Sequence, residues 1–275
     1  MTIDAHPDAL AALPPGYHAL FDRVLAATRD DQRIRGLWLS GSLARGTTDP
    51  GSDLDLVLAV ADDDFAGFVA GWRDWLAGIA PILVADQVPR TELIFYALTE
   101  SMHRLDGVVE PVSRVPESSH RTRVPVIDRD GLNALVPEPA PGRPPDPVKI
   151  TAIVTEFWRQ QAILPAMLDG RNDLLCAMVG MQHATTMLYD VFVEANQPLP
   201  PMGVKQYSSR LNPDQRGVLL ALPAAGPDRA ELVRASRAVR VAMSTAGRAA
   251  AVRAGAVYPD RVADAVSAHL DEVLF

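Results

Sequence analysis

The chain has 275 residues, 48% hydrophobic and 22% charged, an ordinary make-up for a soluble globular protein, and its length exceeds one comfortable core and favours two domains. With 34 acidic against 26 basic side chains the formal net charge is −8, which argues against broad electrostatic binding of nucleic acid and tilts toward a small cationic partner. No apolar run reaches about 18 residues and no basic-then-apolar leader pattern opens the chain, so membrane insertion and secretion are unsupported and the cytoplasm is the expected compartment.

The first predicted element is a helix around Gly16 to Thr28, followed by a strand over Ile34 to Leu39. Ser40-Gly41-Ser42 then reads as a tight turn. Gly41 carries no side chain to keep backbone N–H groups away from phosphate oxygens, and Ser42 adds a hydroxyl. After a spacer of ten residues come Asp53 and Asp55, alternating with Leu54 and Leu56. Successive side chains of a strand point to opposite faces, so the two carboxylates share one face and the leucines enter the core. Such a pair repels unless compensated, and a hard divalent cation with oxygen ligands is the usual resolution.

A helix from about Phe65 to Leu76 comes next, headed by Asp62-Asp63-Asp64, which suits a helix's first turn better than a metal site. A strand near Ile82 to Asp86 follows. Glu92 to Thr99 and MHRLDGVVEPVSRV from Met102 read as neighbouring strands separated at Glu100-Ser101. Asp106 is a lone charge in the second of these, and a charge in an apolar strand needs a partner; Asp106-Gly107 is also a strong turn dipeptide. Glu110 shares the face of Asp106, four residues on.

Residues 136–147, VPEPAPGRPPDP, hold six prolines in twelve positions and read as a stiff linker. After it the pattern is helical: Asp146 to about Leu168, Asp173 to Asn196, Pro213 to Ala221, Asp228 to Ala254 and Pro259 to Leu274. The expected division is therefore a sheet-bearing domain over 1–135, a linker over 136–147 and a helical domain over 148–275. The single Cys176, in LLCAMVG, reads as a buried packing residue and His183 as a bundle-lining or core residue; Met178, Met181, Met187 and Trp158 read as packing, with a Met-lined wall able to accommodate a substrate ring as the alternative. The six histidines are scattered, which leaves zinc unsupported.

The string GSLARGTTDPGSDLDL resembles the signature of the DNA polymerase beta-like nucleotidyltransferase superfamily, with Gly41, Ser42, Asp53 and Asp55 matching it position by position. Its Ala-Arg-Gly is similar to the branch that includes bacterial aminoglycoside and lincosamide nucleotidyltransferases. The resemblance implies an α+β fold: a mixed catalytic sheet flanked by helices, then a helical bundle domain that binds substrate. It also implies a third carboxylate on a later strand, for which Asp106 is the best match, with Gly107 a departure from the pattern, and Glu110 the second choice.

The activity implied is transfer of a nucleoside monophosphate from ATP or another nucleoside triphosphate to a hydroxyl, releasing pyrophosphate. The acceptor expected is a small, cationic, aminoglycoside-type molecule, with antibiotic resistance as one setting. Asp53, Asp55 and Asp106 would hold two Mg2+ ions about 3.5–4 Å apart. Asp106 or Glu110 would serve as the base that takes the hydroxyl proton, with Glu156 or Asp173 of the helical domain as the alternative; Glu156 also reads as an amine binder or as part of a solvated helix face. Arg45 lies close to where triphosphate charge gathers; it also stands near enough in sequence to pair with Asp49 or Asp53 for the fold alone. Lys205, in PPMGVKQYSSRL, resembles a phosphate-facing lysine of related enzymes. Arg171 and Asp173, in RNDLL, resemble an element between the first two long helices of that branch, which would turn them to the active cleft with Asp173 among the cofactor-binding residues, and Asn172 or Asp173 would equally cap the following helix. Two rival readings stand beside this one: a toxin-type enzyme acting on tRNA or protein, and a decayed binding or antitoxin module. An exposed apolar face on the helical domain would be compatible with a homodimer.

Overall fold

The computed structural model describes residues 7–88, 93–200, 202 and 205–274; Glu92, expected to open a strand, lies outside them. Contacts divide the chain into two units, Met1–Pro141 with Pro201–Gly203, and Gly142–Pro200 with Val204–Phe275.

In the first unit the alternation of leucine with acid decides which way the central strand faces. Strands β1 (Ile34–Leu39), β2 (Leu54–Val60), β3 (Ile82–Val88), β4 (Leu93–Thr99), β5 (Arg104–Pro111) and β6 (Val124–Asp128) form one sheet in the order β3-β4-β5-β2-β1-β6. β2 and β5 run parallel and every other neighbouring pair is antiparallel. Leu54, Leu56, Leu58 and Val60 enter the larger core with Leu20, Phe21 and Val24 of helix α1 (Pro15–Asp30). Phe68, Trp72 and Leu76 of helix α3 (Asp62–Ile79) fill the same core at helical spacing. On the opposite face Val57 and Ala59 pack with Trp38, Val108, Val115 and Leu132.

Three local details differ from the expectation. Gly41 to Arg45 is a short helix, α2, in place of a simple turn, with Gly46 at φ 67° closing it. The edge strand β6 carries no strong alternation and is a strand because β1 offers it a free edge. Asp106-Gly107 lies inside β5 and makes no turn: Gly107 pairs with Phe95, whose ring fills the space a side chain would need, 2.3 Å from the position of an added Cβ. The departure from the family pattern is thus a glycine covered by an aromatic ring.

In the second unit α4 (Pro147–Gln161), α5 (Leu174–Ala195), α6 (Pro213–Leu220), α7 (Arg229–Ala242), α8 (Arg248–Arg253) and α9 (Asp260–Leu274) surround a core that includes Phe157, Trp158, Leu188, Phe192, Leu232 and Met243. Met181 and Met187 are buried in it, as packing residues. Side chains cap the helices: Asp146 accepts from the Val148 and Lys149 amides, Asn212 and Gln215 form a capping box, and Asp228 accepts from Glu231 N. The first helix stops at Gln161 and not near Leu168, because Pro165 has no N–H to continue the ladder; a π turn at Ala166–Gly170 follows. The expected long helix over 228–254 is α7 and α8 joined by a π turn at Met243–Gly247.

Glu194, 3% exposed, ties the start of α4 to α5. It accepts from Arg143, from Lys149 Nζ at 2.9 Å and from the Asp146 amide at 3.0 Å. The Arg143 guanidinium, with Lys149 and the Asp146 amide, holds the Glu194 carboxyl down at about 2.

Two expectations about α5 are corrected. Cys176 is exposed, as are its neighbours Leu175 and Val179, because they lie on the outer face while Ala177 and Met181 turn inward. His183 is exposed for the same reason. No helix among the described residues is long and apolar enough to cross a membrane.

Candidate active site

The parallel register of β2 and β5 sets Asp55 directly beside Asp106. Asp53 stands two residues before Asp55 and so on the same face. The result is a cluster in which one oxygen from each of Asp53, Asp55 and Asp106 lies within 4.8 Å of the others, all three residues being partly buried. Among the described residues this is the one group of three acidic side chains gathered closely enough for a metal ion. Like charges at this spacing cost energy unless a cation joins them.

Gly41 is fitted to that cluster. Its φ of 58° is left-handed, and an added Cβ would stand 1.7 Å from Asp55 Oδ2, so both backbone and space demand glycine. β1 delivers it there: the Ser40 amide donates to the Asp55 carbonyl at 2.9 Å, pinning the end of β1 to β2 beside the carboxylates. Just beyond, Ser42 Oγ, Arg45 Nε and Thr48 Oγ1 are buried polar atoms that make no hydrogen bond within the protein. Three such atoms in seven residues leave buried hydrogen-bonding capacity unused in the segment that follows Gly41, and a buried polar group left unpaired is costly.

The remaining residues singled out from sequence are placed elsewhere. Glu110 is 2% exposed and bound to Arg123 Nη1 at 3.0 Å. That pair is itself braced, for Arg123 also donates to Ser118 Oγ at 2.6 Å and the His120 carbonyl at 2.6 Å and lies over the Trp38 ring. Burial pushes the Arg123 pKa down, against the pull of Glu110. Glu110 is thus corrected from candidate base to half of a buried ion pair. Glu156 is half-buried on α4, held by Arg159 at 2.6 Å and Gln160 at 2.7 Å, and the Arg159 guanidinium lowers its carboxyl to about 2. A group so acidic is a weak general base near neutrality, which removes the reason for assigning it that role. Asp173 caps α5, accepting from the Cys176 amide at 3.0 Å, so the capping reading holds. Lys205 is exposed in a turn of the second unit.

Arg104 joins the cluster without a motif to mark it. Arg104 opens β5 two positions before Asp106, and its Nη1 lies 3.7 Å from Asp53 Oδ2. The alternation Arg104, Asp106 puts both side chains on one face of β5, but nothing along that strand says which residues of another strand the face meets.

The fold and the acidic cluster together define a nucleotidyltransferase. Residues 22–106 match the family described as "Nucleotidyltransferase domain". The N-terminal unit therefore carries a nucleotidyltransferase domain over residues 22–106. No curated protein sequence matches the chain. Among solved structures it is similar to an aminoglycoside 6-adenyltransferase from Bacillus subtilis, at 14% identity over 92% of this chain and 97% of that one, TM-score 0.44. It is also similar to a STING-associated CdnE c-di-GMP synthase from Capnocytophaga granulosa, at 14% identity over 88% of this chain and 83% of that one, TM-score 0.31. A CdnE cyclic dinucleotide synthase from Elizabethkingia meningoseptica follows, at 14% identity over 90% and 81%, TM-score 0.27. At TM-scores below 0.5 these likenesses carry no argument about activity.

Proposed function

We propose that the chain transfers a nucleoside monophosphate, from ATP in the first instance, to a hydroxyl of a small cationic acceptor of the aminoglycoside type and releases pyrophosphate. The observation that carries this reading is the convergence of Asp53, Asp55 and Asp106 within 4.8 Å, with Gly41 pressed against Asp55. Oxygen-only donors in a tight acidic group suit Mg2+, and Asp53, Asp55 and Asp106 would hold it. Bound there, Mg2+ would neutralise triphosphate charge and sharpen the acceptor oxygen as a nucleophile.

The chain's own residues supply the rest. The backbone at Gly41 and the Ser42 hydroxyl would bind the triphosphate, with Arg45 taking part of its charge. The acceptor oxygen forms a bond to the α-phosphorus as the bond from phosphorus to the pyrophosphate oxygen breaks. The hydroxyl proton passes to Asp106, since Glu110, Glu156 and Asp173 are committed to Arg123, Arg159 and a helix amide. The cationic acceptor class is supported by the net charge of −8 and by the GSLARG string.

The test is to incubate the protein with Mg2+, each common nucleoside triphosphate and a panel of aminoglycosides and lincosamides, and to weigh the products. A gain of one nucleoside monophosphate on an antibiotic is the expected result. Pyrophosphate release that requires tRNA or a protein would move the function to the toxin-type class, and no Mg2+-dependent release with any acceptor would sink the transferase reading.

A further inference from the structure

Arg104 occupies a position that the proposed chemistry does not use. The register that pairs Leu54 with Leu105 and Asp55 with Asp106 also sets position 53 opposite position 104. One acid thus stands just before β2 and one on it, with an acid and a base beside them on β5. One Arg104 nitrogen lies 3.7 Å from Asp53 Oδ2 and the other donates to the Gly51 carbonyl at 2.6 Å. The Asp53 side chain is 13% exposed and the Arg104 side chain 39%. The guanidinium is thus the more exposed of the two, at the rim of the cluster, and has room to leave.

Charge explains why this matters. Three carboxylates within 4.8 Å attract any divalent cation, and a guanidinium beside one of them opposes a second positive charge in the same space. A free cation has to displace Arg104 and leaves it without its acidic partner. A cation that arrives on a triphosphate brings anionic oxygens, to which a planar guanidinium binds as well as to a carboxylate. The two routes of metal entry thus differ in what they offer Arg104.

Building on the reading above, we propose that Arg104 is the resident counter-charge of the carboxylate cluster, guarding Asp53 against free divalent cations and exchanging it for triphosphate oxygens when a metal-loaded nucleotide binds. It is a positioning residue, acting through Asp53, and its consequence is that metal and nucleotide bind the protein synergistically.

Mn2+ serves as the probe, its free concentration followed by electron paramagnetic resonance with and without a non-hydrolysable ATP analogue. The wild-type protein is expected to bind Mn2+ weakly alone and more tightly with the analogue. Arg104→Gln is expected to bind Mn2+ alone about fivefold more tightly, the scale of one exposed ion pair, and to gain less from the analogue. Arg104→Lys, which keeps the charge, should stay close to wild type. Arg104→Leu, which keeps apolar packing along the side-chain stem, repeats the neutral measurement should Gln fail to fold. Neutral variants that bind Mn2+ no better than wild type would overturn the proposal, and weaker binding would make Arg104 a brace for the loop at Gly51 instead. Those outcomes leave the transferase reading standing, provided Asp55→Asn abolishes Mn2+ binding; a wild-type protein that binds no Mn2+ even with the analogue removes both.

Discussion

Asp106 and Glu110 stand four residues apart on one face of β5, and their surroundings are opposite. Asp106 joins two further carboxylates within 4.8 Å. Glu110, about 13 Å along the strand, is sealed with Arg123 at 3.0 Å, the two side chains 2% and 1% exposed. One end of the strand concentrates like charge beside exposed groups; the other matches charge exactly where water is excluded. A buried, fully partnered ion pair specifies how the segment around Ser118 and His120 lies on the sheet. Gathered like charges are unfavourable for folding alone, and they persist where a ligand compensates them.

The largest effect that would sharpen this contrast is loss of chemistry at the Asp106 end. Asp53→Asn, Asp55→Asn or Asp106→Asn is expected to lower pyrophosphate release on the order of 10³-fold, with an unchanged or higher melting temperature because repulsion is relieved. Near-normal turnover in any one of them would break the comparison. Gly41→Ala should also abolish turnover, and it should cost stability of about 1–2 kcal/mol or more, through its φ of 58° and the clash with Asp55.

At the other end the signature reverses. Glu110→Gln leaves Arg123 buried without a counter-charge and is expected to cost about 3 kcal/mol in denaturant unfolding, while kcat in the folded fraction is preserved. A Glu110→Gln variant that is stable but inactive would return Glu110 to the site.

Acid provides a smaller, separate test in the second unit. Glu194 has a folded-state carboxyl at about 2 against an ordinary 4.5, so the stabilisation it provides is complete above pH 4.5 and fades as the pH falls toward 2. Thermal melts should fall over that window, and Glu194→Gln should be less stable at pH 7 with a flatter acid limb. The smallest effect is expected at Glu156: its exposed pair with Arg159 contributes little, so Glu156→Gln should leave both melting and turnover unchanged. A large loss of kcat there would restore it as a base.

Much of this was legible in the chain. β1, the alternation Asp53-Leu54-Asp55-Leu56, the helix headed by three aspartates and the caps at Asp146 and Asp173 all follow from local periodicity and capping chemistry. The helix break before Pro165 is signalled by the proline itself. Cys176 and His183 were misjudged because the first half of α5 is apolar around most of its circumference, so composition does not say which side turns inward.

By itself, then, the sequence determined the strand that carries Asp53 and Asp55 and the glycine turn before it, because side-chain alternation and backbone permissiveness are local properties. Only the tertiary structure decided that Asp106 joins them while Glu110 does not, and that Arg104 belongs to the same cluster. Partners for a charge come from parallel register and from segments such as the one bearing Arg123, distances that no spacing along a single strand encodes.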